Sequence, residues 1–202
     1  MRLALLALLF CAAACERDHG PAQAGNPKQD PAREQTTFDK ERNPRKVVEA
    51  LKIGPGSRVA DIGAGSGLLT IHLARAVAPN GRVVATDIDV QVLDLLHQRL
   101  QAAGLADIVE RRIVDPDKPD LEPGIYDAIL LAEVDHQLRD AVGWLAAAIP
   151  ALKPSGRIVI SNRVYYRAGS LAGAQKAGLV LESESAPVPS HFIAVFVPAR
   201  SK

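Results

Sequence analysis

The chain has 202 residues, of which 48% are hydrophobic and 23% are charged, so it holds enough apolar material for one folded domain. This composition excludes a disordered chain. The 24 Lys and Arg nearly balance the 23 Asp and Glu, which leaves a formal net charge of +1 and no positive field for holding a polyanion. No nucleic-acid partner is therefore expected.

Residues 1–15 have the features of an export signal. Arg2 precedes an apolar run, and three alanines stand directly before Cys15. The apolar run of roughly 12 residues is shorter than the roughly 20 that a membrane-spanning helix needs. The small residues before a cysteine resemble the lipobox of bacterial lipoproteins, and this resemblance implies cleavage before Cys15 and lipid attachment there. An uncleaved hydrophobic anchor and a misassigned start codon are the alternatives.

The expected location follows from this signal. We expect an exported, membrane-anchored lipoprotein that faces the periplasm and contacts the membrane only through its N-terminal anchor. If the signal is not used, the protein is cytoplasmic. Residues 16–42 are polar, contain Pro21, Pro27 and Pro31, and show almost no apolar periodicity, so they are predicted to form a flexible linker. About 25 such residues would reach about 30 Å, enough to hold a domain clear of a membrane.

Residues 43–202 are predicted to fold as one α/β domain, because short β-branched runs alternate with helical patterns. The first helix is expected to begin at Pro44, with Asn43 as its N-cap, and to end before Gly54. Strands are predicted at 58–62, 82–86, 108–114, 126–132, 157–161, 180–185 and 192–197. Further helices are predicted at 67–77, at 89–103 with Asp89 as the cap, at 138–149 and at 170–177. The last two strands are expected to form an antiparallel pair.

Residues 59–67, Val-Ala-Asp-Ile-Gly-Ala-Gly-Ser-Gly, place a glycine loop between a predicted strand and a predicted helix. Glycines allow a sharp turn and the close approach of a ligand, and the N-terminus of the helix offers free N–H groups to an anionic moiety. A dinucleotide-binding loop requires G-x-G-x-x-G, whereas Leu68 stands at the final position here and the pattern is G-x-G-x-G.

Two carboxylates accompany the glycine loop. Asp61 lies two residues before the first glycine, where it can face the ammonium group of an amino-acid ligand. Asp87 lies at the end of the next strand, where a carboxylate can accept hydrogen bonds from both hydroxyls of a ribose. A ligand with an amino-acid end and a ribose is therefore favoured.

With Asp61 before it, the loop resembles motif I of class I S-adenosylmethionine-dependent methyltransferases. Residues 83–87 resemble the second motif of that family, and residues 126–131 resemble its fourth-strand motif. Residues 152–160 resemble its Leu-x-Pro-Gly-Gly turn and fifth strand, with Ser155 in place of one glycine. The resemblance implies a Rossmann-like methyltransferase fold, in which a mostly parallel seven-stranded sheet has an antiparallel last strand and helices on both faces.

The resemblance also implies S-adenosyl-L-methionine as the methyl donor and assigns residues to its amino-acid end. Those expected to line the methionine part are Gly63, Ala64, Gly65 and Gly67. Asp61 is expected to lie near the donor's amino group.

The adenosine end of the donor is assigned in the same way. Asp87 would hold the ribose diol, and Ile88 would pack on the adenine. Asp115 matches an acid that faces the adenine amino group in many relatives, and Glu133 would border the methyl group. Two alternatives remain open, since Asp115 also suits a turn near Pro116 and Glu133 also suits a solvated acid at a strand end.

Methyl transfer from a sulfonium is an in-line displacement, so positioning and exclusion of water supply much of the acceleration and a general base is optional. If the acceptor must lose a proton, Asp135 and His136 are the first candidate catalytic residues, followed by Tyr165 and Tyr166. The alternatives are that Asp135 caps the next helix and that the tyrosines are packing residues. No metal is expected, since both cysteines lie in the first fifteen residues and the five histidines lack ligand spacing.

Two departures from the family affect the acceptor. No helix is predicted between the third and fourth strands, and the segment between the fifth and sixth strands, where relatives often build a lid, is short. The pocket is therefore expected to be shallow, which suits a protein side chain or a lipid headgroup. It also suits a domain that binds the donor without turnover.

The predicted function is methyl transfer from S-adenosylmethionine to an unidentified small-molecule, lipid or protein acceptor. The alternative is an exported or lipid-anchored binding protein that keeps the fold and has lost the reaction, because the donor is a cytoplasmic metabolite. A nicotinamide-dependent reductase is a third interpretation, which Leu68 and Asp61 disfavour.

Overall fold

The computed structural model describes residues 30–199. The predicted export signal, the lipidation candidate Cys15 and residues 16–29 of the predicted linker lie outside the described residues. Within residues 30–199, no helix combines the length and apolar character needed to cross a bilayer.

The described part of the chain forms one seven-stranded sheet with the order β3-β2-β1-β4-β5-β7-β6. The strands are β1 Arg58–Ile62, β2 Arg82–Asp87, β3 Val109–Ile113, β4 Tyr126–Ala132, β5 Leu152–Arg163, β6 Leu179–Val188 and β7 His191–Pro198. The pairs among β1 to β5 are parallel, and β7 runs antiparallel to both β5 and β6. The predicted mostly parallel sheet with an antiparallel last strand is confirmed.

Helices cover both faces of the sheet, as predicted. They are α1 Pro31–Arg42, α2 Pro44–Leu51, α3 Thr70–Val77, α4 Val90–Ala102, α5 Ala141–Ala148 and α6 Arg167–Lys176. Helices α2, α3 and α4 pack on one face, where the fully buried Leu73 and Leu96 lie in one apolar cluster with Leu130 of β4. Helices α5 and α6 pack on the other face, where Leu145 lies in one apolar cluster with Ile129 of β4. Alternate residues of the buried strands thus serve two separate clusters, which stabilises the sheet from both sides.

The linker prediction is wrong for residues 31–42, which form helix α1. The side chain of Asp30 caps this helix by accepting a hydrogen bond from the Ala32 N–H at 3.0 Å, and Pro31 occupies its first position. Lys40 and Arg42 lie in its last turn, where positive charge is favourable. The helix buries none of its residues, so its sequence has no apolar periodicity to indicate it.

Polar contacts attach α1 to the rest of the domain. Gln35 Nε2 donates to the Leu68 carbonyl at 2.9 Å, and His72 Nε2 lies 2.8 Å from Asp39 Oδ1. Arg99 of α4 donates to Glu34 Oε2 at 2.7 Å. These contacts place α1 over the glycine loop.

Several segments of the predicted fold differ in their bounds. Helix α3 begins at Thr70 instead of residue 67, and helix α6 begins at Arg167 instead of residue 170. Strand β5 begins at Leu152 instead of residue 157, because Leu152 pairs with Tyr126 before an irregularity in the register. Helix α5 begins at Ala141, and residues 135–137 form a separate 3₁₀ turn before it. Residues 114–125, between β3 and β4, contain no helix, as the sequence predicts.

Candidate active site

The order of the strands reverses beside β1, since β2 and β3 lie on one side of it and β4 lies on the other. The chain segments that leave the carboxyl ends of β1 and β4 therefore diverge and open a crevice, which is where parallel α/β sheets bind ligands. The glycine loop follows β1, Asp87 ends β2 and Glu133 follows β4. The fold thus brings residues that are far apart in the sequence to one edge of the sheet.

The glycine loop needs glycine for two different reasons. Gly63, Gly65 and Gly67 have φ values of 66°, 54° and 84°, in the left-handed region that side chains rarely adopt. A Cβ on Gly63 would also lie 2.8 Å from Val134 Cγ2, and a Cβ on Gly67 would lie 2.8 Å from Leu96 Cγ. A Cβ on Gly65 would meet no atom within 4 Å. Gly65 is therefore the position at which the backbone is open to a ligand.

Asp87 holds the glycine loop against the end of β2. Its carboxylate accepts hydrogen bonds from the backbone N–H groups of Gly65 at 2.9 Å, Ile88 at 2.8 Å and Asp89 at 3.1 Å. A carboxylate has about four acceptor positions, so roughly one stays available to a ligand hydroxyl. Asp87 therefore fixes the loop and still faces the crevice.

Asp61 is a buried acid, with only 2% of its surface exposed. Thr70 Oγ1 donates to its Oδ2 at 2.7 Å. Burial raises the pKa of Asp61 to about 7, and the charge of Asp87 contributes to the same direction, although the Thr70 hydrogen bond opposes it. A cation placed beside Asp61 would favour its ionised form, so the position suits a positively charged ligand group.

A cavity of about 280 Å³, here called the strand-end cavity, opens at the ends of β1, β2 and β4. The three residues expected to bind the donor's adenosine end line this cavity, and so does Glu133, which is expected to border the methyl group: Asp87, Ile88, Asp115 and Glu133. Ile88 is 64% exposed, which leaves its side chain available to a flat ring. Asp115 also accepts a hydrogen bond from the Asp117 N–H at 3.0 Å, so it is a turn residue and a cavity residue together.

A second cavity of about 270 Å³, here called the loop cavity, adjoins the first and shares Gly63 and Glu133 with it. Its lining includes Asp61, Ala64 and Gly65 from the predicted methionine site. Gly67 lines neither of the two cavities, because it packs against the Leu96 side chain. The structure thus places all but one of the predicted donor-binding residues on two adjoining cavities.

Glu133 lies between the two cavities in a left-handed backbone conformation, with φ 55°. Its Oε2 accepts from Arg42 Nη1 at 2.6 Å, and its Oε1 lies 2.9 Å from Arg163 Nε and 3.1 Å from His191 Nε2. Burial opposes ionisation, but hydrogen bonds from Arg163 and His191 and the charge of Arg42 lower the pKa of Glu133 to about 2. The alternative of a solvated strand-end acid is wrong, since Glu133 is a partly buried anion among three partners.

The two predicted catalytic residues lie apart from these cavities. Asp135 is 5% exposed, and its two carboxyl oxygens accept hydrogen bonds from Asn162 Nδ2 and Ser170 Oγ. His136 is exposed and stacks on the ring of Tyr166 with 3.9 Å between centroids. Neither residue lines the strand-end or the loop cavity.

The alternative role of Asp135 as a helix cap is wrong. The side chain that caps α5 is Asp140, which accepts a hydrogen bond from the Gly143 N–H at 2.8 Å. Asp135 instead joins the 3₁₀ turn to β5 and α6 through Asn162 and Ser170. A catalytic role for Asp135 and His136 stays a prediction.

Sequence reasoning missed several cavity residues. Thr86 and Val114 line the strand-end cavity, and each follows from the rule that residues at strand ends face the crevice. Trp144 reaches the same cavity from α5. Phe38 and Arg42 line the loop cavity from α1, where the sequence carries no motif or apolar period that would indicate them.

Comparison with known proteins shows what the domain resembles. Residues 60–158 match the family described as "Methyltransferase domain". Over these residues the chain is similar to methyltransferase domains. This match runs from β1 into β5 and so includes the glycine loop, Asp87 and Glu133 of the candidate site.

Curated proteins similar to this chain include ubiquinone/menaquinone biosynthesis C-methyltransferases UbiE. The protein from Ectopseudomonas mendocina is 31% identical over 116 residues, which cover 57% of this chain and 45% of the relative. The protein from Teredinibacter turnerae is 32% identical over 114 residues, which cover 56% of this chain and 46% of the relative. The chain therefore spans less than half the length of these relatives.

Solved structures share the fold of this domain. A SAM-dependent methyltransferase from Aquifex aeolicus has a TM-score of 0.73 at 20% identity and covers 84% of this chain and 98% of its own. The [4+2]-cyclase SpnF has a TM-score of 0.63 at 16% identity, covering 71% of this chain and 59% of its own. One fold thus carries different reactions, and the activity must be argued from the site.

Proposed function

We propose that the protein is an S-adenosylmethionine-dependent methyltransferase whose acceptor is unidentified. The observation that carries this proposal is the placement of Asp61 and Asp87 on two adjoining cavities that meet at Gly63. Asp61, whose ionised form a nearby cation would favour, lies on one side of the glycine loop. Asp87, which can accept a hydrogen bond from a hydroxyl, lies on the other side. S-adenosylmethionine carries an ammonium group at one end and a ribose diol at the other.

The residues present fit this donor. Asp87 would accept from a ribose hydroxyl through the acceptor position that its three backbone hydrogen bonds leave available, and the exposed side chain of Ile88 would pack on the adenine together with Val114. Asp61 and Glu133 would face the donor's positive groups, while the open backbone at Gly65 admits its amino-acid chain. The donor supplies the sulfonium methyl group.

Alignment of donor and acceptor would supply most of the acceleration. Glu133 is held ionised by cations, and Asp135 lies outside both cavities with its two oxygens engaged. Neither acid presents a free base to an acceptor, which fits an in-line displacement that depends on positioning and exclusion of water. The proposed acceptor is a small molecule, a lipid or a protein group, and no nucleic-acid partner is proposed. The named relatives act in quinone biosynthesis as C-methyltransferases.

Calorimetric titration tests the donor assignment. The folded protein should bind S-adenosylmethionine and its demethylated product, S-adenosylhomocysteine, and Asp87→Ala should weaken both by at least about tenfold through loss of charge-assisted hydrogen bonds. Asp94→Ala is the matched control, because Asp94 lies on α4 with its side chain 65% exposed. Lack of measurable binding by the folded wild-type protein would overturn the proposal.

Turnover separates the enzyme from a binding protein of the same fold. Formation of S-adenosylhomocysteine during incubation with fractions of a cell extract supports the enzyme. Binding without turnover on any fraction favours the non-catalytic alternative.

We also propose that residues 1–15 direct export and that Cys15 carries a lipid, which makes the protein a lipoprotein facing the periplasm. This proposal is supported by the apolar run and the small residues before Cys15. Mass spectrometry of the native N-terminus tests it. A lipid-modified N-terminal Cys15 supports export and lipidation. An intact Met1 contradicts cleavage before Cys15, and recovery of that form from the soluble cytoplasmic fraction instead of the membrane supports the cytoplasmic alternative, in which protein and donor share a compartment.

A further inference from the structure

Helix α1 contributes two side chains to the loop cavity. Phe38 and Arg42 line it opposite the glycine loop, in company with Asp61 and Gly65. The helix itself buries no residue in the core, so its packing contributes little apolar burial. Its side chains instead cover the part of the crevice that is proposed to bind the donor's amino-acid end.

Arg42 is directed into this cavity. Only 14% of its side chain is exposed, and its guanidinium carbon lies 5.6 Å from the centroid of the Phe38 ring. A guanidinium over an aromatic face is held by cation–π attraction, which keeps the charge beside the cavity. Of the described residues that line the loop cavity, Arg42 is the only cation.

The ion pair between Arg42 and Glu133 can be replaced by contacts to a ligand without leaving Glu133 unpaired. Arg42 Nη1 contacts only Oε2 of Glu133, at 2.6 Å, whereas Oε1 is held by Arg163 and His191. Loss of the Arg42 contact therefore leaves Glu133 ionised and partnered. It also exposes one guanidinium edge and one carboxylate oxygen on the same cavity.

We propose that Arg42 binds the carboxylate of the donor's amino-acid end, so that α1 forms part of the donor site. An amino-acid end is a zwitterion, and it can insert between the two partners. Its carboxylate then takes the place of Glu133 beside Arg42, and its ammonium takes the place of Arg42 beside Glu133 Oε2 and Asp61. A guanidinium suits this role because its planar donors match a carboxylate. The inference rests on the proposed function.

The test compares two ligands that differ only at this end. S-adenosylhomocysteine carries the complete amino-acid chain, whereas 5′-methylthioadenosine keeps the adenosine and the sulfur and lacks that chain. Both are titrated by calorimetry into the wild-type protein, Arg42→Gln and Arg42→Lys. Arg45→Gln serves as the control, because Arg45 is 83% exposed on α2 and pairs with Glu49.

We expect Arg42→Gln to weaken S-adenosylhomocysteine binding about tenfold or more and to change 5′-methylthioadenosine binding by less than about twofold. Arg42→Lys should recover part of the lost affinity, since it keeps the charge without the planar fork. Arg45→Gln should match the wild type for both ligands. Retained 5′-methylthioadenosine binding also shows that the variant site is folded.

Two results would overturn the inference while leaving the proposed function intact. One is unchanged S-adenosylhomocysteine affinity in Arg42→Gln, and the other is an equal loss for both ligands, which would make Arg42 a support for α1 alone. A wild-type protein that binds neither ligand would instead overturn the proposed function, and this inference with it.

Discussion

Asp61 and Glu133 border the same cavity, yet their surroundings move their pKa values in opposite directions. Burial raises the pKa of Asp61 to about 7, with Thr70 as its hydrogen-bond donor. Burial also opposes ionisation of Glu133, but Arg163, His191 and Arg42 lower its pKa to about 2. Glu133 is thus a fixed anion near neutral pH, whereas the charge of Asp61 responds to pH and to a nearby cation.

The raised pKa of Asp61 makes stability depend on pH. The folded chain binds this proton more tightly than the unfolded chain, so the stabilisation is complete below the unfolded pKa of 3.8 and is lost as the pH rises through about 7. Asp61→Asn removes the titration and keeps an acceptor for Thr70. Its free energy of unfolding relative to the wild type should therefore rise between pH 5 and pH 8, by on the order of 1–4 kcal/mol.

Urea denaturation at both pH values measures this difference. Asp94→Asn, at an exposed position on α4, should run parallel to the wild type. Parallel profiles for Asp61→Asn would contradict the expected ionisation. The same variant should bind S-adenosylhomocysteine more weakly at pH 8, because its neutral amide no longer attracts the ligand ammonium.

Substitutions at two glycines of the loop measure the cost of backbone strain separately from the cost of a steric clash. Gly63→Ala meets both a φ of 66° and the Val134 side chain at 2.8 Å, so we expect it to destabilise the fold by about 2–4 kcal/mol. Gly65→Ala meets only the positive φ and should cost about 1 kcal/mol. Gly173→Ala is the control within α6, where open space allows a gain of up to about 1 kcal/mol. Urea titration should give this order, and equal effects for Gly63 and Gly65 would contradict it.

At the scale of elements, the sequence predicts the strands and helices whose hydrophobic pattern follows from their burial. Strands β1 and β4 match their predicted bounds, because every residue of 59–62 and five of the seven residues of β4 are buried, and such burial produces apolar runs in the sequence. Helix α1 was missed because ion pairs and side-chain hydrogen bonds attach it, and these partners lie more than thirty residues away in the chain. Nothing in the local sequence of 31–42 encodes such contacts.

The same distinction applies to the site. Residues within motifs or at strand ends, such as Asp87 and Glu133, could be predicted from position along the chain. The three partners of Glu133 could not, because Arg42, Arg163 and His191 come from α1, β5 and β7 and meet only once the sheet is assembled. The pKa of Glu133 is thus a property of the tertiary structure.

Arg99 connects helix α1 to the glycine loop through hydrogen bonds. Its side chain, 11% exposed, donates to the Ser66 carbonyl at 3.0 Å in the glycine loop and to Glu34 of α1 at 2.7 Å. Arg99→Gln removes charge-assisted hydrogen bonds, and we expect proteolytic cleavage within 31–42 to become about tenfold faster. Arg111→Gln is the matched control, since Arg111 contacts Leu93 and Asp94 on the same helix. Equal cleavage of both variants would show that α1 does not depend on Arg99.

The segment that follows β4 depends on Asp135, which links the 3₁₀ turn to β5 and α6. In Asp135→Asn, the amide oxygen can accept from Asn162 and the amide nitrogen can donate to Ser170, whose hydroxyl lies 3.1 Å from the Tyr166 carbonyl. We therefore expect this variant to unfold within about 1 kcal/mol of the wild type and Asp135→Ala to lose about 2–3 kcal/mol.

The kinetics of Asp135→Asn show whether Asp135 is a general base or a residue that only stabilises the structure. If Asp135 acts only through its hydrogen bonds to Asn162 and Ser170, Asp135→Asn keeps the kcat and the pH profile measured with whichever extract fraction supports turnover. A kcat at least about a hundredfold lower, with retained stability and donor affinity, would establish Asp135 as the general base instead.

At the scale of the whole molecule, the candidate donor site joins the two apolar clusters that lie on opposite faces of the sheet. Trp144, from the cluster under α5, lines the strand-end cavity, whereas Leu69 and Ala64, from the cluster under α3, line the loop cavity. A ligand in both cavities would therefore contact both halves of the core. Its binding energy should stabilise the domain as one cooperative unit.

Thermal unfolding with S-adenosylhomocysteine tests this coupling. At one hundred times its dissociation constant, a ligand that binds only the folded state adds about 2.7 kcal/mol, which corresponds to a rise in Tm of about 5–10 °C for a domain of this size. Far-ultraviolet circular dichroism follows the helices on both faces, and the fluorescence of Trp144, the single tryptophan, follows the α5 side.

Both probes should shift together, because the ligand contacts both clusters. NAD should produce no shift, since the loop has Leu68 where a dinucleotide-binding loop has glycine. A shift in fluorescence alone would mean that the two faces of the sheet unfold separately and that the ligand stabilises only one of them.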